Sequence, residues 1–549
     1  MRTSPLLAVL GLFFIMVAPA HAIDLGPLEN GPLPAPYAPK HVRGPFDYVI
    51  VTTRELAPEF DRLAKAHDHD GFHAGIWTLE SIRSAYPAGR DDAERIRMFL
   101  QDAHRELDTR WLLIGGNARR IPIRIAKLDV NFPPPYDALQ HVPTDQYYAC
   151  LDGTWNADGD DVWGELATDD VDLVPELIVG RAPVDSRDEA QRFVDKTLDA
   201  LKSNKHPGVR TSRVLLAAEL LNGGLVDFGA FGEHIRPLFE AAPNTEVTRL
   251  YENSSAWPGS LPESRQSLIA ELNEGYDLAV LYGAGSNTQF SAGVDGPVDQ
   301  YLDSDAGAMR NTHATIVCFV SASVCRPEPA VASIGERMIN ARPGQGASAV
   351  LGPTSIEFVG GNDQFVRKFF ERVYQQGVVT IGEALTQTII ANAFPSDTQR
   401  LSTQGMILYG DPALPMNPPA QIQTVAATTR ADDGLAAIPS SLTLELRTPT
   451  VTADVASGGA EFSLRVVSAN PARTEAKLEL SLPAALAAQR PEVGVYDLAG
   501  RQVRMLDGSK RTLSWDLRDE AGIVVVPGIY FINVRVAGHT ATRRVTVMR

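Results

Sequence analysis

YDLAVLYGAGS, residues 276–286, opens with an apolar run and ends in the tripeptide Gly283-Ala284-Gly285. A short apolar run without polar alternation is what a strand buried on both faces requires, and glycines at its end make a tight, permissive turn. In open α/β sheets the reactive groups collect where strands end at their carboxyl side. The turn is therefore a place to expect chemistry, yet its tip carries only the methyl group of Ala284.

Working outward, strand and helix patterns alternate on both sides of this stretch. SRVLLAAEL, FGEHIRPLFEAA, EVTRLYE, SRQSLIAELNEG, HATIVCFVSAS, VASIGERMI and GASAVLG continue it to about residue 416. Upstream, FDYVIVTT, ELAPEFDRLAKAHD, GIWTLESI, DDAERIRMFLQDAHREL and RWLLIGG repeat the grammar from residue 46. The expected fold is therefore α/β: two consecutive parallel-sheet units, residues 46–205 and 206–416. A Pro/Ala/Thr linker (417–440) follows, and then the period changes to two. SLTLELRTPTV, AKLELSLPA, RTLSWDL and GIYFINVRVAG predict an all-β sandwich over 441–549.

The amino-terminal residues set the compartment. MRTSPLLAVLGLFFIMVAPAHA (1–22) has a basic start, an apolar core and an Ala-His-Ala site, the pattern of a secretory signal peptide; the Pro-rich stretch 23–45 reads as an extended lead-in. The mature protein is then expected in the secreted or cell-surface space, with no membrane insertion. A formal charge of −17 on 549 residues disfavours binding to nucleic acid or anionic lipid. The three cysteines, Cys150, Cys318 and Cys325, are too few for a disulfide framework.

Two strand ends are candidates for chemistry: the Ala284 turn and TIVCFVSASVC (315–325), where Ser321, Ser323 and Cys325 crowd the terminus. Together with YVIVTT, RWLLIGG, PTDQYYACLDGTWNADGDDVWGE, ELIVGRAPV, SIGERM, GASAVLGPTS and LYGDPAL, in that order, the chain resembles the gingipain-type cysteine peptidases. The resemblance implies a caspase-like fold and a His–Cys dyad, with the His inside a Gly-His-Gly turn and the Cys ending the next core strand. Here the base position is Ala284, and the nucleophile position falls on Ser323 or, with a shift of two residues, on Cys325. Serine hardly ionises without a base, and a free thiol is only a few per cent thiolate at pH 7. His313 precedes the candidate strand, roughly 30 Å from its far end, and His234 sits in a predicted helix, so both read as ordinary surface histidines.

The expected function is a secreted gingipain-family homologue with impaired or lost proteolysis, serving in binding or assembly with an extracellular protein or peptide. The alternative is an active cysteine endopeptidase using Cys325 with a different base. DGTWNADGDDVWGE offers Asp152, Asn156, Asp158, Asp160 and Glu165 as oxygen ligands, and related peptidases carry a similar loop, so a structural calcium ion is expected there. HDHDGFH (67–73) reads as a polar loop. The terminal segment resembles the immunoglobulin-like modules that end many secreted bacterial proteins, which implies contact with secretion machinery; Trp515 and Tyr530 are its expected core anchors.

Overall fold

The structure, a computed structural model, describes residues 33–37, 45–128, 140–166, 168–205, 211–221, 226–293, 299–356, 359–392, 397–416, 463–466, 472–482, 490–497, 502–520, 522–525, 528–536 and 539–547. The expected signal peptide, the linker, most of the lead-in and the first sandwich strand lie outside these residues.

The first half contributes β1 (Tyr48–Thr52), β2 (Ala74–Thr78), β3 (Trp111–Gly115), the hairpin β4 (Arg124–Lys127) and β5 (His141–Thr144), and β6 (Ile178–Ala182). The second half contributes β7 (Ser212–Ala218), the short pair β8 (Leu220–Leu221) and β9 (Val226–Asp227), β10 (Thr245–Tyr251), β11 (Leu261–Pro262) and β12 (Leu278–Tyr282). It continues with the short pair β13 (Gln289–Ser291) and β14 (Gln300–Leu302), then β15 (Thr315–Val320), β16 (Ala347–Pro353) and β17 (Met406–Tyr409).

The apolar runs form strands because both of their faces are covered. Tyr48, Ile50 and Leu113 enter one apolar cluster while Val49, Val51, Leu112 and Ile114 enter another, as the two-residue side-chain period dictates. Helix ends carry their own signals. Asp91 caps Asp92–Leu107 by accepting from the Glu94 N–H, and Ser333 and Glu336 form a reciprocal cap on Ile334–Ile339. GIWTLESI does not continue as one strand. Thr78 caps a helix that starts at Leu79, so β2 stops there.

The two expected parallel-sheet units, residues 46–205 and 206–416, contribute to one shared sheet. All the main strands belong to one eleven-stranded sheet of order β11-β10-β7-β12-β15-β16-β17-β6-β3-β1-β2. β17 joins the halves: it runs antiparallel to β16 and meets β6 in parallel through Tyr409 and Arg181, the remaining pairs being parallel. By inserting there, the last strand covers an edge that each half would otherwise expose.

Two buried polar assemblies tie the first half to this seam. Arg181 donates twice to Asp145, at 2.8 and 2.6 Å, and to the carbonyls of Gly116 and Ile121 at 2.8 Å each. Asp411, just past β17, accepts from Tyr48 (2.9 Å) and pairs with His67 Nε2 (2.7 Å), all three groups being buried. His67 and His69 therefore belong to the helix Ala57–His69, not to the polar loop expected over 67–73.

Beyond residue 462 the described residues form two antiparallel sheets, β18 (Ser463–Val466), β19 (Ala476–Ser481) and β22 (Thr512–Trp515) in one, and β20 (Glu492–Asp497), β21 (Gln502–Leu506), β23 (Gly528–Val536) and β24 (His539–Val547) in the other. Their apolar cluster includes Trp515 and Tyr530, whose ring centroids are 4.9 Å apart. Among the described residues no helix is long and apolar enough to cross a membrane.

Candidate functional site at the carboxyl edge of the sheet

Strand register builds the site. Tyr251 pairs with Pro262 and with Ala218, Ala218 with Tyr282, and Tyr282 with Val320. The next residues along these strands therefore form one row across the sheet: Glu263, Glu252, Glu219, Gly283 and Ser321. A ladder of backbone bonds holds it, from Glu263 N to Tyr251 O (3.2 Å), Glu252 N to Ala218 O (3.0 Å), Glu219 N to Tyr282 O (3.0 Å) and Gly283 N to Val320 O (3.2 Å).

The glycines beside Ala284 are explained by close approach. A Cβ on Gly285 would stand 2.4 Å from Ser321 Oγ and 2.7 Å from Val324 Cγ1, and one on Gly283 would stand 2.9 Å from the Ser291 carbonyl. Those distances are too short for any side chain, so the turn presses directly on the end of β15. Ala284 itself is exposed, and its N–H donates to Glu219 Oε2 at 2.6 Å. The other oxygen of Glu219 accepts from Ser291 Oγ at 2.7 Å. The turn is thus clamped by a buried carboxylate while its tip faces solvent.

Past β15 the chain turns sharply at Ser323, a non-glycine residue at φ 55°, whose N–H bonds the Ser355 carbonyl at 2.8 Å. A left-handed serine is a strained position held by its surroundings. Ser323 is half-buried. The kink sends Cys325 inward, where it is fully buried. Its carbonyl accepts from Tyr409 (2.8 Å), and its Sγ would stand 2.5 and 2.7 Å from a Cβ on Gly335 or Gly352. Burial, then Glu336 and Cys318, push its thiol well above the ordinary range, and burial alone raises Cys318 to about 12. A thiol so placed stays protonated and has no path to a substrate. The two nucleophile candidates are therefore separated, Ser323 at the rim and Cys325 in the core.

Among the described residues no histidine bonds to Ala284, Ser323 or Cys325. His313 lies ahead of β15, at the opposite edge, 3.6 Å from Asp277, and His234 packs edge-on against Phe231. A cleft of about 270 Å³ opens between residues 117–125 and 326–332, in the segments that follow β3 and β15. Ile125 and Val331 are its exposed apolar walls, and Arg119 and Arg326 stand at it with partners in Asp185 and Glu328.

The acidic loop is divided by the fold. Asp158, Asp160 and Glu165 bring one oxygen each within 4.8 Å of one another, whereas Asp152 gathers with Asp172 and Glu176. Asn156 Oδ1 is turned inward to the Gly159 N–H at 2.9 Å, and Lys127 bonds Glu165. Glu219, Glu252 and Glu263 did not enter the site expected from the sequence. Their signal was present, however: a glutamate directly follows each of the runs LLAA, RLY and LP.

The profile of peptidase family C25 matches residues 41–417, more than half of the chain. Among solved structures, gingipain R (RgpB), described as an Arg-specific cysteine proteinase, shares 13% identity and a TM-score of 0.52 over 92% of this chain and 98% of that one. The complex of the Porphyromonas gingivalis RgpB pro- and mature domains gives 13% and 0.50 over 91% and 100%. At such identity the likeness is one of fold. Compared by sequence with curated proteins, the chain has no match. With the family profile spanning most of the α/β region and the sheet sharing the gingipain fold, this chain belongs to peptidase family C25, the gingipain-type cysteine peptidases.

Proposed function

We propose that this chain is a secreted family C25 homologue that has lost efficient proteolysis and uses its carboxyl-edge cleft to bind an extracellular protein or peptide. One observation carries the reading: an exposed methyl group, Ala284, stands where the resemblance places the base, while the Glu219 clamp on that turn is intact. The buried Cys325 thiol adds to it. Loss of a member of a catalytic unit costs about a million-fold in kcat in a serine peptidase, which is on the order of 8 kcal/mol. The cleft, with Ile125 and Val331 exposed beside the rim, suits an extended segment carrying an apolar side chain.

The test is a reconstruction. Ala284→His combined with Ser323→Cys, and separately with Ser321→Cys, is assayed on a peptide library beside the unaltered chain. Hydrolysis gained by either double variant and absent from the parent supports the reading. Efficient hydrolysis by the parent that disappears in Cys325→Ala would overturn it in favour of an active endopeptidase.

We also assign the Asp158, Asp160 and Glu165 oxygens to a structural calcium ion, the all-oxygen donor set of a hard cation. The two-sheet region beyond residue 462 is read as an immunoglobulin-like module serving secretion or surface attachment. Deleting it is expected to leave the α/β region folded and to change where the protein accumulates.

A further inference from the structure

The eleven-stranded sheet ends on β2 at one side and on β11 at the other. β11 is two residues long and contains Pro262, which blunts that edge. β2, AGIWT, is a five-residue strand without charge or proline, the kind of edge on which a further strand can add. Against it lie residues 33–37, LPAPY, from the Pro-rich lead-in.

The Tyr37 N–H donates to the Ile76 carbonyl at 2.7 Å, and the Trp77 indole donates to the Pro34 carbonyl at 2.8 Å. Asp68 Oδ1 accepts the neighbouring Ala74 N–H at 2.8 Å. Leu33 and Tyr37, both half-buried, pack on the two different apolar clusters of this half. Leu33 joins the cluster of Val49, Val51 and Trp77, and Tyr37 joins that of Tyr48, Ile50 and Ile76. The five residues therefore straddle the edge, with polar contacts between two apolar anchors. With them in place Trp77 and Ile76 are 1% and 3% exposed. The composition of the segment suits this position. Pro34 and Pro36 have no N–H, so the segment offers few donors to a further strand, and its prolines hold it extended at low entropic cost.

We infer that residues 33–37 form a clip that closes the β2 edge and keeps two copies of this chain from pairing through it. Displacing the clip takes the indole of Trp77 from its acceptor and the Ile76 carbonyl from its donor, and uncovers apolar surface on both faces. A second copy of β2, set antiparallel across a two-fold axis, then supplies backbone partners along the strand. AGIWT suits its own twin as partner, because it carries no charge that would repel an identical strand. The clip acts on the strand at the end of the sheet, two places from β3, whatever chemistry the cleft performs.

The test compares the full chain with Leu33→Asp/Tyr37→Asp, which places a charge at both anchors, and with the milder Tyr37→Asp. Light scattering is read over a range of concentrations. The parent is expected to hold the mass of one chain throughout, and the variants to rise about twofold in mass with concentration. An excess of synthetic peptide of residues 33–37 is expected to return them to single chains. Hydrogen exchange of residues 74–78, followed by mass spectrometry, is expected to be slow in the parent, faster in the dilute variants and slow again in the pair. Variants that stay single chains at every concentration overturn the clip, as does a parent that already pairs. Association that the peptide does not reverse, or that leaves residues 74–78 exchanging fast, puts the contact on another surface and overturns it too. If the double variant does not fold, Tyr37→Asp decides by the same criteria.

Discussion

Two regions of the eleven-stranded sheet, the seam at β6 and β17 and the end at β7, β10 and β11, treat buried charge in opposite ways. Around β6 and β17 the buried ions Arg181 and Asp411 have partners: Arg181 is bonded to Asp145 and two carbonyls, and Asp411 to His67, Tyr48 and the Ala413 N–H. Around β7, β10 and β11 three glutamates stand in a row, and among the described residues none of them pairs with Lys, Arg or His. The first arrangement reads as architecture, because removing any piece leaves its partners uncompensated. The second is a concentration of like charge, which burial and mutual repulsion push toward the protonated form.

The sharpest way to break this contrast is to substitute on the paired side. Arg181→Met leaves Asp145 buried without its cation and two carbonyls without donors. A loss of about 3–5 kcal/mol is expected, measured by urea denaturation of the full chain. A change below about 1 kcal/mol would mean the seam is not held by this pair.

Lys196 gives an intermediate case, a buried cation whose ammonium meets only carbonyl oxygens, those of Ile339 and Gln345. Burial, then the charge of Arg192, lowers it to about 7. The unfolded chain holds that proton up to about pH 10.4, so between about pH 7 and pH 10 the unfolded state binds more protons and stability rises with pH. Below pH 7 both states are protonated and the gain is absent. The expected slope is on the order of 1.4 kcal/mol per pH unit at most, read as the difference from Lys196→Met between pH 7 and 9. Parallel stability curves for the two proteins would remove Lys196 from this role.

The smallest effect has the opposite sign. Glu252→Gln is expected to stabilise by about 0.2–1 kcal/mol through relief of like-charge repulsion, a shift visible in thermal unfolding. A loss of stability there would show that the Glu252 carboxylate is structural, and the contrast between the seam and this end of the sheet would disappear.

Much of the fold was legible because local sequence decides local structure. FDYVIVTT, RWLLIGG and YDLAVLY are strands in the structure, Asp91 marks a helix start, and Trp515 and Tyr530 meet in one core. Motif order also disclosed the family, and the Ala284 turn and the end of TIVCFV do meet at one rim. Other readings failed where the answer lay in distant residues. His67 looked like part of a polar loop until Asp411, 344 positions away, gave its ring a buried partner. Cys325 looked accessible because the straight strand was carried past Val320, whereas the left-handed Ser323 turns the chain inward.

The sequence by itself determined which apolar runs form strands and that the Gly283-Ala284-Gly285 turn carries only a methyl group at its tip, since these follow from side-chain polarity and residue identity at each position. Only the tertiary structure decided that β17 fuses two halves into one sheet, and that glutamates at 219, 252 and 263 stand side by side. The reason is strand order. In a parallel sheet, neighbours are set by crossover connections and packing, so residues far apart in the chain become adjacent by register alone.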